Sequence, residues 1–471
     1  DRGAAPLISG EVNFKANTLG YLRVQGLAVH DLGDQFVIHA ERTSITALTD
    51  VRFDYMEILG GTDTAVKWCG NLHNIGISHS LIDGGRDHHG LKAQCSEAGS
   101  CAASPTHEPC SCDFAPDFYV TNNHITRETA YAYTLGEDNI QVEGWGDAEI
   151  WCNVFDRNLT GEDCMDLKGE GRISAVVQVN RNEADATTCR QNALIMHGNQ
   201  TSIDTGRIWY NHFIGLPTDG VKCQTTASCN FQNNYFDNAT LDLEERAGVN
   251  TCGADFPATA LVAYNTWAGG RLRIGTGTVT TPAHCLPSLV LVDNIFSGTT
   301  FDQRDVSVCD TDGPIYTALS NNVNFSPVSG ALRKCIASSR TCDSDSDCLG
   351  AGGGTCLSTT SSQPTVITTD PLLTTFHIAA GSPARDAATS AYVLDTDLDR
   401  DHRPQGTLFD IGADEFNIGP TTSTSTSSST TTSVTFATTT TSTSTTSTST
   451  SSTTSSTTST TVASQRSRSV V

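Results

Sequence analysis

The sequence predicts an all-β chain wound as a right-handed parallel β-helix, a solenoid, followed by a disordered C-terminal tail. Three observations point there. Short apolar runs broken by Gly, Asn and Asp take the place of long amphipathic helical patterns. An asparagine recurs about every 30 residues between aliphatic and aromatic neighbours. From Thr421 to about Val462 the chain is almost entirely Ser and Thr, which cannot bury enough apolar surface to offset the entropy of ordering its backbone.

The recurring unit reads YVTNNHI at 119–125, IWCNVF at 150–155, IWYNHF at 208–213, FQNNYF at 231–236, LVAYNTW at 261–267 and LVLVDNIF at 289–296. VVQVNRN at 176–182 fits less well, and NIGISHSLIDGG at 74–85 extends the series backwards. The anchoring residues are Asn123, Asn153, Asn180, Asn211, Asn234, Asn265 and Asn294, at intervals of 30, 27, 31, 23, 31 and 29. Each interval holds two or three β-like runs, too short for a helical repeat. Asparagine amides stacked at a corner bond to each other and to backbone, so buried polar groups stay satisfied. This pattern resembles the pectate-lyase-like β-helix superfamily over roughly residues 20–300, a likeness specific for fold and much less so for activity.

Before each asparagine strand lies a second one: HGLKAQ (89–94), NIQVEG (139–144), CMDLKG (164–169), ALIMHG (193–198) and GVKCQT (220–225). Period-two alternation turns Leu91, Ala93, Ile140, Val142, Met165, Leu167, Leu194, Met196, Val221 and Cys223 into the coil. The outward residues form two columns. One holds Lys92, Gln141, Asp166, Ile195 and Lys222, and the other Gln94, Glu143, Lys168, His197 and Gln224. Stacked coils would space neighbours in a column by about 4.8 Å, so Glu143, Lys168 and His197 form three successive rungs.

Such a column is either a charge ladder on a polar face or a site. The superfamily resemblance implies a polysaccharide lyase, in which a base removes the proton beside a uronate carboxylate and a cation neutralises that carboxylate. GEDCMDLKG resembles the turn-and-strand such proteins carry. It implies Asp163 and Asp166 as Ca²⁺ ligands and Lys168 as base. The columns add His197, Glu143 and Asp166 to Lys168 as candidate catalytic residues. Ca²⁺ or protonated His197 would lower the lysine pKa and Glu143 would raise it. An inverting glycoside hydrolase is a lower-ranked alternative. Asp166 and Glu143 would have Cα atoms roughly 8 Å apart, against carboxyl separations of about 6.5–9.5 Å for inversion. A third alternative is a non-catalytic surface scaffold, adhesin or filament subunit that self-associates through open end coils.

Lys92, Lys222 and Arg246 are candidate substrate-binding cations, Arg246 as a carboxylate clamp. In DHHG (87–90) the adjacent histidines face opposite ways, which argues against a metal site using both. CDSDSDC (342–348) and DTDLDRD (395–401) alternate acids as Ca²⁺ loops do, offering Asp395, Asp397 and Asp399. The second departs from the EF-hand pattern at Arg400 and Gly406. SPARDAA, DTDLDRDHRPQG and FDIGADEF (382–416) resemble the C-terminal closing segment of secreted bacterial β-helix proteins.

The organisation expected is a β-helix over 1–330 with a Cys-rich loop at 95–118, a Cys-rich insertion at 331–360, a closing segment at 361–418 and a stalk at 419–471. The 52 acidic and 28 basic residues give a net charge of −24, which argues against nucleic-acid or anionic-membrane partners. No apolar run reaches 18 residues. Clustered cysteines, 17 in all, suit an oxidising compartment. A chain beginning at Asp1 reads as a processed form. The expectation is a secreted or cell-surface protein that binds an acidic polysaccharide, with Ca²⁺ as candidate cofactor.

Overall fold

A computed structural model describes residues 6–417 except 16–20, 32, 34–35, 42–47, 70–71, 86, 95–117, 128–136, 144–147, 157–161, 171–175, 181, 186–188, 190–191, 200–204, 216–219, 225–227, 244–258, 275–287, 304–315, 327–332, 336–354 and 359–366. The 95–118 loop (save Phe118), CDSDSDC, Arg246 and the Ser/Thr stalk therefore lie outside the described residues. The chain divides into two units, Asp1–Gly419 and Pro420–Val471, and all the described residues belong to the first.

All regular elements among the described residues are strands, and three long sheets contain nearly all of them. Sheet A has 12 strands, from Leu7–Ser9 to Val323–Phe325. Sheet B has 11, from Val12–Lys15 to Thr300–Gln303, and sheet C has 11, from Leu22–Gln25 to Tyr316–Ser320. Successive strands visit A, B and C in turn, and each pairs in parallel with the strand three places on. That is the topology of a parallel β-solenoid. No described helix is long and apolar enough to cross a membrane.

The corner from sheet C to sheet A makes the coil repeat. It takes two residues. The first adopts the left-handed conformation, as at Asn122, Cys152, Tyr210, Asn233, Tyr264, Asp293 and Asn321, with φ between 53° and 59°. The second is a buried asparagine. Asn211 is typical: its backbone N–H and side-chain Nδ2 both donate to Asn234 Oδ1 at 2.9 Å, and Nδ2 also reaches Val179 O at 2.7 Å. Its own Oδ1 accepts from Asn182 N and Nδ2 at 2.9 and 3.1 Å. The ladder runs Asn123, Asn153, Asn182, Asn211, Asn234, Asn265, Asn294 and Asn322. Ser80 heads it, donating its backbone N–H to Asn123 Oδ1 at 3.0 Å and accepting from Met56 N.

This corrects one rung. Asn180, expected in the ladder, lies in sheet C between Trp151 and Trp209, at the strand's last residue just before the corner. Asn182 takes its place. The mark of a rung is a large apolar residue two positions on, as at Phe155, Phe213, Phe236, Trp267 and Phe296, and after Asn182 that position is the small Ala184. Those aromatic rings stack inside the coil, Phe236 on Trp267 at 4.3 Å and Trp267 on Phe296 at 4.7 Å. Full burial of such side chains contributes about 1.5–3 kcal/mol each.

The final described run, 367–417, lies against the outside of the coils. Ile367, Leu373, Ala387, Val393 and Phe409 pack, together with Leu261, Val290 and Ala318 of sheet C, against one buried cluster that includes Tyr264, Ile295, Val323, Ala384 and Ile411. The chain then passes back along the asparagine corner. Thr389 bonds to Asp293, Asn233 Nδ2 donates to Thr396 O at 2.9 Å, and Arg400 reaches Cys152 Sγ at 3.7 Å. Gly412 returns to the stack with φ +102°, where an added Cβ would meet Ile295 and Thr266 at 2.6 and 2.7 Å. Arg403, fully buried, pairs with Glu415 at 3.4 Å and donates to Asp410 O and Gly412 O.

Disulfides join Cys164 to Cys189 and Cys223 to Cys229. Cys335 and Cys356, both disulfide-bonded, stand opposite each other in an antiparallel pair.

Replacing a middle rung tests the ladder. Asn234→Ala strips partners from Asn211 N and Nδ2 and from Ile208 O, at about 1–3 kcal/mol for each buried group left unsatisfied. Denaturant titration should show a loss of about 3 kcal/mol or more, with Asn180→Ala far milder. Equal losses would contradict the rung assignment.

Candidate functional site

Sheet B aligns the two outward columns in the expected register. Lys92, Gln141, Asp166, Ile195 and Lys222 are successive partners, as are Gln94, Glu143, Lys168, His197 and Gln224. The ten inward residues are all buried. Backbone pairing thus brings Glu143, Lys168 and His197 onto adjacent coils, while their side chains lie outside the described residues.

The first column continues in both directions. Lys67 precedes Lys92, and Asp242, Arg273 and Asp302 follow Lys222. Its far end is an internal charge ladder, with Arg273 held by Asp242 at 2.5 Å and by Asp302 at 3.1 Å. Lys92 and Lys222 are partly exposed. Asp166 is not: it is 5% exposed and accepts from Gln141 Nε2 at 3.1 Å.

That amide links Asp166 to a carboxylate cluster at the turn before sheet B. Gln141 Nε2 also donates to Asp138 Oδ2 at 3.2 Å. The turn carries a second buried ladder, built from acids in place of asparagines. His89 Nδ1 accepts from Asp138 N at 3.3 Å, Asp138 Oδ1 from Asp163 N at 3.0 Å, and Asp163 Oδ1 from Asn192 N at 2.9 Å. The sequence signal is the GED triplet, present at 136–138 and again at 161–163. Asp138, Glu137, His89 and Gln141 were not among the expected site residues.

Environment separates the acids. Burial pushes the Asp163 carboxyl up to about 7, with Asp166 adding to the rise against the pull of Asn192 and Lys222. Glu137, half-exposed, falls to about 2, chiefly through its 2.8 Å contact with His89 Nε2. Because His89 Nδ1 accepts a backbone N–H, the ring proton of the neutral form belongs on Nε2, facing Glu137. One carboxyl that holds its proton near neutrality beside ionised ones is the condition for acid–base work.

The oxygen donors also suit a hard cation. Gln141 Oε1 is buried without a hydrogen-bond partner among the described residues, next to the carboxylates of Asp138 and Asp166. Oxygen donors of this kind are the chemistry Ca²⁺ takes, and Asp163 joins the row through its backbone N–H to Asp138 Oδ1, its own Oδ1 being held by Asn192. Asp395, Asp397 and Asp399 do not gather in this way. Asp395 is exposed, and Asp397 accepts Asp401 N and Glu415 N at 2.8 and 3.0 Å. Asp399 faces His377.

Comparison with family models, curated proteins and solved structures finds no match to this chain.

The Asp163 shift carries a stability signature. Its folded value of about 7 lies above the ordinary 3.8, so between those limits the folded state holds more protons than the unfolded one. Stability contributed by this group therefore falls as pH rises from about 4 to 7. Asp163→Asn should flatten that part of the stability–pH curve, measured by denaturant titration. Parallel curves for the variant and the natural chain would refute the shift.

Proposed function

We propose that the outer face of sheet B binds an acidic polysaccharide and cleaves it by β-elimination, with Lys168 as the base. What supports the reading is the sheet B register, in which Glu143, Lys168 and His197 are successive partners beside Asp166. Lys92 and Lys222 flank these coils as cations for substrate carboxylates. Lys168 would take the proton next to the uronate carboxylate. The electron pair then forms the ring double bond as the glycosidic C–O bond breaks, and the leaving oxygen takes up a proton. Asp163 and Asp166, with Asp138 and Gln141 Oε1, would hold Ca²⁺, which when bound neutralises the substrate carboxylate.

On this reading the chain is a secreted or cell-surface, right-handed β-helix of the pectate-lyase-like kind. The disulfides suit that compartment.

A second reading, hydrolysis, is favoured by one observation: Asp163 near neutral pKa among Asp138, Glu137 and Asp166. An acid that protonates the leaving oxygen and an ionised partner that activates water are the two roles hydrolysis requires.

Uronate polymers incubated with and without Ca²⁺ distinguish the two. Elimination yields a product with a conjugated double bond, read by ultraviolet absorbance, and Lys168→Ala should lower its rate by about a hundredfold or more. Saturated reducing ends lost in Asp163→Asn would instead support hydrolysis. Unsaturated product formed at the natural rate by Lys168→Ala would remove Lys168 as the base, and no turnover at all would favour a binding scaffold.

A further inference from the structure

The closing run holds a second convergence of ligating atoms, remote in sequence from sheet B's carboxylates. His377 opens the second strand of a short hairpin, Leu373–Thr374 paired with His377–Ile378. Asp399 lies in the DTDLDRD stretch, and Asp414 in the terminal GADEF. Three separate passes of the chain thus meet at one imidazole nitrogen. His377 Nδ1 is 3.2 Å from Asp414 Oδ1 and 3.4 Å from Asp399 Oδ2. The three ligand atoms all lie within 4.8 Å of one another.

We propose that His377, Asp399 and Asp414 form a Zn²⁺ site that fastens the closing segment to itself. The spacing matches the ion. Ligand atoms about 2.0–2.2 Å from a tetrahedral Zn²⁺ are about 3.3–3.6 Å from each other, close to the 3.2 and 3.4 Å that separate His377 Nδ1 from the two carboxylates. One imidazole N–H can make a good hydrogen bond to only one of two acceptors converging on it, whereas a dication on that nitrogen serves both. Asp414 is also pre-oriented: its Oδ2 accepts Ile378 N at 2.9 Å, which leaves Oδ1 turned to His377.

A nitrogen with two carboxylates, leaving a position for water, is a borderline-metal donor set and a poor one for Ca²⁺. The turn cluster of His89, Glu137 and Asp138 lacks the same argument, because Asp138 N already donates to His89 Nδ1.

Zinc titration of the full chain followed by calorimetry tests the assignment. The natural chain should bind one equivalent, and its unfolding temperature should rise with Zn²⁺ and fall back with chelator. His377→Asn and Asp399→Asn, both at partly exposed positions, should each weaken binding more than about tenfold and lose the thermal shift, while His89→Gln keeps both. Cobalt(II) in place of zinc should give the visible absorption of a tetrahedral site in the natural chain and not in the two variants. No zinc uptake by the natural chain, uptake unchanged in both variants, or an octahedral cobalt spectrum would each overturn the site.

Discussion

Burying a chain reversal is the constraint on which this architecture depends. Each coil must turn from sheet C into sheet A inside the stack, and a turn exposes backbone groups that a sheet ladder would have satisfied. The asparagine after each left-handed residue solves this, because one amide accepts two bonds from the coil before and donates to that coil's carbonyl and to the next amide. The ladder links neighbouring coils directly. Register in all three sheets then follows from one repeated corner, which is why columns stay aligned across loops of very different length.

The same requirement is met differently at the turn into sheet B. There Asp138 and Asp163 occupy positions that asparagine could fill, each accepting a backbone N–H from the next coil. An aspartate in such a place forms its bond at the cost of a buried charge. Asp163 responds by holding its proton to about 7.

The closing segment extends this use of carboxylates. Asp386, Asp397, Asp410 and Glu415 each accept backbone N–H groups. Within the stretch spaced like a Ca²⁺ loop, Asp397 is such a connector, buried with both oxygens engaged. Sequence spacing could not separate the two uses. Both need alternate acids in a tight stretch, and only the fold decides whether the oxygens meet an ion or a peptide.

The sequence by itself determined the coil. Asparagines near a 30-residue period and strict alternation before them were enough to name the inward residues and both outward columns, because side-chain direction in a strand depends only on parity. Parity says nothing about depth. Asp166 points outward yet is buried by its neighbours in adjacent coils, and Asn182 displaced Asn180 because the corner is set by the stack and not by the local motif. Which acids meet, and which keep their protons, depends on residues some 25–30 positions apart being brought to strand spacing. That proximity exists only once the coils have stacked.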